Sequence, residues 1–326
     1  MPAYFIRRIL GIIPLLLGIS LLSFAVINLS PGGFIETQVQ MSQKISPTSI
    51  ERMRKLYGLD APVHVRYWNW LKRLAKFDLG ESFMDGRPVR SAIAAALPAT
   101  ILLQGISLAL VLLISLPLGA RQALKHGSVF DRGVLVGTLA TYSTPTFWLG
   151  PVLMLVLGVN LGWLPISGLQ SPNYNEFSMW GRFLDRCAHL AMPAGVMVIR
   201  DMAFFTRYMR GSLLEVIRQE YVTVARAKGL PENTVLYKHA MRNALLPFIT
   251  ILGMSLPGLL GGGFIIETIF AWPGMGRLAY NAATSFDYPV IMGILLMSSF
   301  LTIIGNLLAD VLYALVDPRV RLGGGQ

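Results

Sequence analysis

The residues with chemistry to offer are concentrated between Glu215 and Pro247. This stretch carries Arg218, Arg226, Lys228, Lys238 and Arg242, with Ala225, Ala227 and Gly229 set among the charges. Guanidinium and ammonium groups at this density hydrogen-bond carboxylates and carbonyls. Small residues between them allow close approach. The combination reads as a docking surface for a separate protein rather than as a reaction centre.

Reaction motifs are missing. The sequence contains no Gly-Lys pair, hence no phosphate-binding loop, and no G-x-S-x-G, H-E-x-x-H or G-x-G-x-x-G. His64, His126, His189 and His239 form no ligand-spaced pair. Cys187 is the one cysteine, which excludes an intramolecular disulfide and a cysteine metal cluster. No catalytic residue, metal ligand or bound cofactor is assigned, and the chain is expected not to be an enzyme. If it uses energy, that energy comes from a partner.

The docking stretch must be held by helices. Glu220 to Lys228 has no breaker, and Gly229 stands where a helix end favours positive φ. Pro231 then fits a first-turn position of a second helix. The expected arrangement is helix, glycine stop, helix, inside a loop far longer than two spans need.

The rest of the chain explains why such a loop stands out. Of 326 residues, 54% are hydrophobic and 14% charged, and mean hydropathy is +0.57. That is the composition of a multi-span membrane protein. The net charge of +11 then records orientation in lipid rather than nucleic-acid binding. The region 1–30 holds a first span: Ile9 to Leu29 is free of charge and reaches about 31 Å as a helix. A cleaved signal would have a shorter apolar core. Further spans are expected at Pro98–Gly119, Gly133–Asn160 with kinks at Pro145 and Pro151, Leu190–Phe205, Phe248–Ile266 and Ile291–Leu315. Residues 160–188 read as a polar connection.

Residues 31–95 form an extracytoplasmic insert. Ser46-Pro47 opens one helical segment and Pro62 another. In the second, Val63, Tyr67, Trp70, Leu71 and Leu74 share a face opposite Arg66, Lys72, Arg73 and Lys76. That face suits either the membrane interface or the protein's own extramembrane region. Residues 96–316 hold the five further spans and 317–326 a tail.

Short loops fix the orientation. With both termini in the cytoplasm, Arg7, Arg8, Arg121, Lys125, Arg132, Arg207, Arg210, Arg319, Arg321 and the basic loop are inside. Short outside loops keep Arg182, Arg186 and Arg277. Charge within spans is limited mainly to Arg200, Asp201 and Asp310, the first two expected near a cytoplasmic helix end. Gly258 to Gly263 concentrates glycine in the fifth span. Gly261, Gly262, Gly263, Pro145 and Phe147 are candidates for a pathway or gate.

Several runs together resemble one family. Glu220 to Leu230, EYVTVARAKGL, is similar to the EAA loop of importer-type ABC permeases of the peptide/nickel branch, and Lys238 to Pro247 to its continuation. Thr144 to Trp148, Leu164 to Gly168, Glu267 to Arg277, Asp287 to Val290 and Asn306 to Arg319 extend the resemblance in the same order. It covers nearly the whole chain and is strongest for the B-type subunit of dipeptide and oligopeptide importers. Ser115 to Arg121 and His126 to Asp131 lean toward the oligopeptide and microcin C-type subgroup. One departure matters: the motif's Glu-Ala-Ala falls on Thr223-Val224-Ala225, so Glu220 does not stand in for the glutamate.

The resemblance implies an all-α type I importer permease with six spans. It implies a second homologous permease as heterodimer partner, two ATPase subunits that hold ATP and Mg, an external substrate-binding protein, and peptide cargo. Glu220, Tyr221, Ala225, Arg226, Ala227, Lys228, Gly229 and Leu230 become the ATPase-coupling residues. A nickel or other small-solute permease of the same family, and a secondary carrier working alone, remain as alternatives. Co-purification of ATPase subunits separates importer from carrier.

Overall fold

The computed structural model describes residues 14–25, 60–248 and 263–316, with 251, 252, 255 and 258 between them. For residues 309–316 it describes the helix but not the side chains. Ser46-Pro47, most of the expected fifth span, and the 317–326 tail lie outside the described residues, as does the Asp310 side chain. Among the described residues the architecture is helical, with one isolated bridge between Glu81 and Pro88.

The helices are α1 (Pro14–Ala25), α2 (Val63–Leu74), α3 (Val89–Leu124) and α4 (Val129–Ser143). They continue with α5 (Thr146–Asn160), α6 (Met179–Ile217) and α7 (Glu220–Ala227). Then come α8 (232–244), α9 (Phe264–Ile269), α10 (Met275–Thr284) and α11 (Tyr288–Val316). α3, α6 and the Tyr288–Leu308 part of α11 are each long and apolar enough to cross a membrane.

The expected third span is broken rather than kinked. α4 and α5 meet at 94°. The residue before a proline avoids the helical region, and Thr144 is extended at φ −82°, ψ 119°. Pro145 then caps α5. Pro151 lies inside α5, and the helix widens to π geometry over Met154–Asn160.

Two helices outrun their apolar cores. α3 starts at Val89, nine residues before Pro98 and inside the segment read as insert. α6 is 39 residues long, about 58 Å at 1.5 Å per residue. It begins within the stretch read as a polar connection, where Ser178 accepts a hydrogen bond from the Gly181 amide.

The chain divides into two compact units. One contains the described residues up to Thr100, with 263–264 and Pro273–Ile304. Here the apolar face of α2 is spent on spans. Trp70, with Tyr67, Leu71 and Leu74, packs on Phe24 of α1 and on Met292 and Leu296 of α11. Val63, expected on that face, is half exposed. Among the described residues, that face therefore packs on α1 and α11. Further along, Val89 and Ile93 pack with Met275, Val290 and Ile294. Buried Asp287 accepts from Ser82 Oγ at 2.5 Å and the Phe83 amide at 3.1 Å.

The other unit contains the described residues from Ile101 to 258, Ile265–Trp272, and those from Gly305. Its core joins Val111, Ala120 and Ala123 of α3 to Val198, Phe205, Met209 and Leu213 of α6 and to Ala240 and Ala244 of α8. The α3–α6 crossing needs Gly119. A Cβ there would strike the Thr206 carbonyl oxygen and lie 2.8 Å from Met209 Cβ. Two of the motif stretches also meet here, through the Gly168 amide donating to the Phe270 carbonyl at 2.8 Å.

Candidate functional site

α7 follows α6 after two residues, Arg218 and Gln219. Its inward face is Val222 and Ala225, packed on Val235 of α8 and Val216 of α6. The chain leaves α7 through Gly229 at φ +74°, a left-handed C-terminal position where a Cβ is unfavourable. Pro231 sits at the cap of α8, one position before the first turn expected for it. α8 is π-helical over Val235–Met241.

Three sets of contacts make α6, α7 and α8 one piece. Ser212 Oγ of α6 donates to the Ala244 carbonyl of α8 at 2.8 Å. Asn243 Nδ2 of α8 donates to Tyr221 Oη of α7 at 2.7 Å. Arg226 Nη2 of α7 donates to Glu232 Oε1 of α8 at 2.8 Å. The same contact holds the Glu232 carboxyl below its usual range and raises the Arg226 guanidinium. The segment folds back on α6 rather than hanging from it.

The coupling residues divide by direction. Ala225 is buried at 7% exposure. Its small size serves the α7–α8 contact, not the approach of a partner. Arg226 is engaged with Glu232 within the chain. Glu220, Tyr221, Ala227, Lys228, Gly229 and Leu230 are exposed, and so is Val224, a motif residue outside the coupling set. Tyr221, Val224 and Leu230 are 41%, 51% and 38% exposed, and the same outward surface carries Glu220, Thr223 and Lys228.

The described pathway candidates belong to both units, Pro145 and Phe147 to one and Gly263 to the other. Pro145 marks the α4–α5 break. Phe147, two residues on, is 62% exposed. Gly261 and Gly262 lie outside the described residues, and Gly263 precedes α9.

A second constellation ties the motif stretch His126 to Asp131 to Arg210. Asp131, near the start of α4, accepts from Arg210 Nε at 2.7 Å and Nη2 at 2.8 Å on α6. The Gly127 amide donates to the same carboxylate at 2.9 Å. Gln122 Nε2 donates to the Asp131 carbonyl at 3.0 Å. His126 Nδ1 lies 3.2 Å from Asp131 Oδ2. The pairing with Arg210, 79 residues away, was not readable from that stretch. It locks α4 to the part of α6 that leads into α7.

The long helix α6 thus carries a folded-back helical segment at one end. Residues 115–322 match the family "Binding-protein-dependent transport system inner membrane component". Residues 1–104 match its companion, "Binding-prot-dependent transport system membrane comp, N-term". The chain belongs to this family. It is the permease subunit of an ABC-type importer, not an enzyme, and it resides in a membrane. Membership implies ATPase and substrate-binding partners.

Curated relatives match along almost their whole length. The "Oligopeptide transport system permease protein AppB" of Bacillus subtilis (strain 168) is 44% identical over 98% of this chain and 100% of its own. The "Di/tripeptide transport system permease protein DppB" of Pseudomonas aeruginosa (strain UCBPP-PA14) is 38% identical over 97% and 98%. Among solved structures, a MetNI methionine ABC transporter chain aligns with TM-score 0.52 at 17% identity, covering 70% of this chain and 97% of that one. At that identity the likeness concerns the fold, and it is that of a type I importer permease.

Proposed function

We propose that this permease forms one half of a peptide import pathway, with its termini and the α7–α8 handle in the cytoplasm. The other half is a second, homologous permease in a heterodimer. Two ATPase subunits bind ATP and Mg and seat α7, while this chain binds no cofactor itself. An external binding protein delivers the peptide.

The observation that carries the reading is the rigid joining of α7 to α6 beneath an outward surface of Tyr221, Val224, Leu230 and Lys228. A short helix of this kind fills an apolar groove, and Lys228 suits an acidic rim. When the ATPase pair closes, the seated helix moves. Because α6 and α8 are fixed to it, the motion enters the membrane as a rigid-body rotation rather than dissipating in a loop. The peptide assignment is supported by the oligopeptide and di/tripeptide permease relatives.

The test is transport by the complete complex in liposomes, against a peptide-length series and nickel. ATP-dependent uptake of short peptides and not nickel is expected. Nickel uptake without peptide uptake would reassign the cargo. Uptake by this chain alone, without ATPase subunits, would overturn the importer mechanism.

A further inference from the structure

We propose that Arg200 and Asp201 line the aqueous route and receive the charged ends of the cargo, Arg200 the carboxylate and Asp201 the ammonium. This rests on the peptide reading above and adds the residues that recognise the peptide's termini.

The pair was expected inside or near the end of its span, and α6 continues well past it in both directions. Arg200 lies 17 residues before the end of α6 and 21 after its start. Arg210, bound to Asp131, marks one polar limit of the helix, and Arg200 is about 15 Å further in, half the thickness of a hydrocarbon core. Toward the other limit, Asp185 binds the Ser171 amide and hydroxyl. The pair sits between these polar belts, deep in the span.

Its side chains are nonetheless only partly covered by the rest of the chain, at 50% and 35% exposure. Charges at that depth face water or a bundle interior, not lipid tails. The surface beside them agrees. Phe204, Arg207 and Tyr208 follow Arg200 on one helical face and are exposed, and the Arg207 guanidinium lies 5.3 Å from the Tyr142 ring centre. A second arginine and two aromatic rings make a peptide-facing lining and a poor lipid-facing one.

The geometry supplies the mechanism. Arg200 Nε and Nη2 donate to the two Asp201 oxygens at 2.6 and 3.0 Å. That fork fits any carboxylate. A zwitterionic peptide brings one carboxylate and one ammonium, so the pair opens and both groups exchange partners. No charge is left unsatisfied before, during or after passage. Binding is therefore weak enough to release, as a conducting site requires.

The experiment uses the complete importer in liposomes, each peptide supplied on saturated binding protein. The probes are trialanine, trialanine amide and N-acetyl-trialanine. Arg200→Gln should slow trialanine about tenfold relative to the amide, the loss of one charge-assisted contact. Asp201→Asn should do the same relative to the N-acetyl peptide. The charge swap Arg200→Asp with Asp201→Arg should not restore the wild-type ratios. Ratios within one variant cancel differences in assembly. Equal slowing of all three peptides, no change, or restoration by the swap would make the pair a self-neutralising structural contact and overturn the inference. If the wild-type complex imports no peptide at all, the peptide reading itself fails and takes this inference with it.

Discussion

Arg210 Nε and Nη2 reach Asp131 Oδ1 and Oδ2 at 2.7 and 2.8 Å, across 79 residues of sequence. The carboxylate is 5% exposed and the guanidinium 23%. Removing one partner strands the other charge in a place poor in water, at a cost of about 3–5 kcal/mol. Arg210→Gln and Asp131→Asn alone should each sharply lower the unfolding temperature of the purified complex. The double variant should recover most of the loss, because no lone charge remains. Thermal unfolding in detergent measures this, and additive losses would contradict it.

Gly229 tests whether α7 must end where it does. Its Cβ position is sterically open, so the cost of a side chain is the left-handed backbone at φ +74°, about 1–2 kcal/mol. Gly229→Asp should leave the protein in the membrane yet uncouple ATPase stimulation from uptake. Gly229→Val should be worse than Gly229→Asp, since aspartate tolerates this conformation better. Wild-type uptake and stimulation in both variants would refute the role.

Val222 and Val224 lie two residues apart on opposite sides of α7. Val222 is buried at 0% exposure and Val224 is 51% exposed. Val222→Asp should prevent accumulation of folded permease. Val224→Asp should leave folding intact and abolish retention of the ATPase subunits. Size-exclusion profiles of the permease and of the complex separate the two outcomes.

The Arg226–Glu232 pair is exposed, so its stability effect is small and screened by salt. Its sign is definite. The folded-state value of Glu232 lies below its ordinary one, so the contribution is complete above the ordinary glutamate range and fades as pH falls through the lowered value. Spin labels on α7 and α8 should show equal order at pH 7 and pH 6 and looser coupling only in stronger acid. Arg226→Ala should remove that acid dependence.

The apolar runs and the Gly229 stop were legible in the sequence because lipid and left-handed backbone each demand particular residues. Helix ends were not. Hydropathy marks where lipid stops, and α3 and α6 continue beyond it through residues such as Arg90 and Glu215, which form helices readily in water. Ala225 was assigned to a partner because one strand of sequence does not say which side of a helix its own chain covers. The Arg210–Asp131 and Asp287–Ser82 contacts depend on tertiary distance, which spacing does not encode.

The central claim is that α7 is the seat of the ATPase subunit. Its most direct measurement is site-directed cross-linking of Val224→Cys, in a Cys187→Ser background, to single cysteines in the ATPase groove of the assembled importer. The account predicts a cross-link to an ATPase subunit in membranes, with ATP-driven uptake blocked by the bond and restored on reduction. A complex that imports peptide while Val224→Cys remains open to a membrane-impermeant thiol reagent from the external side would contradict it.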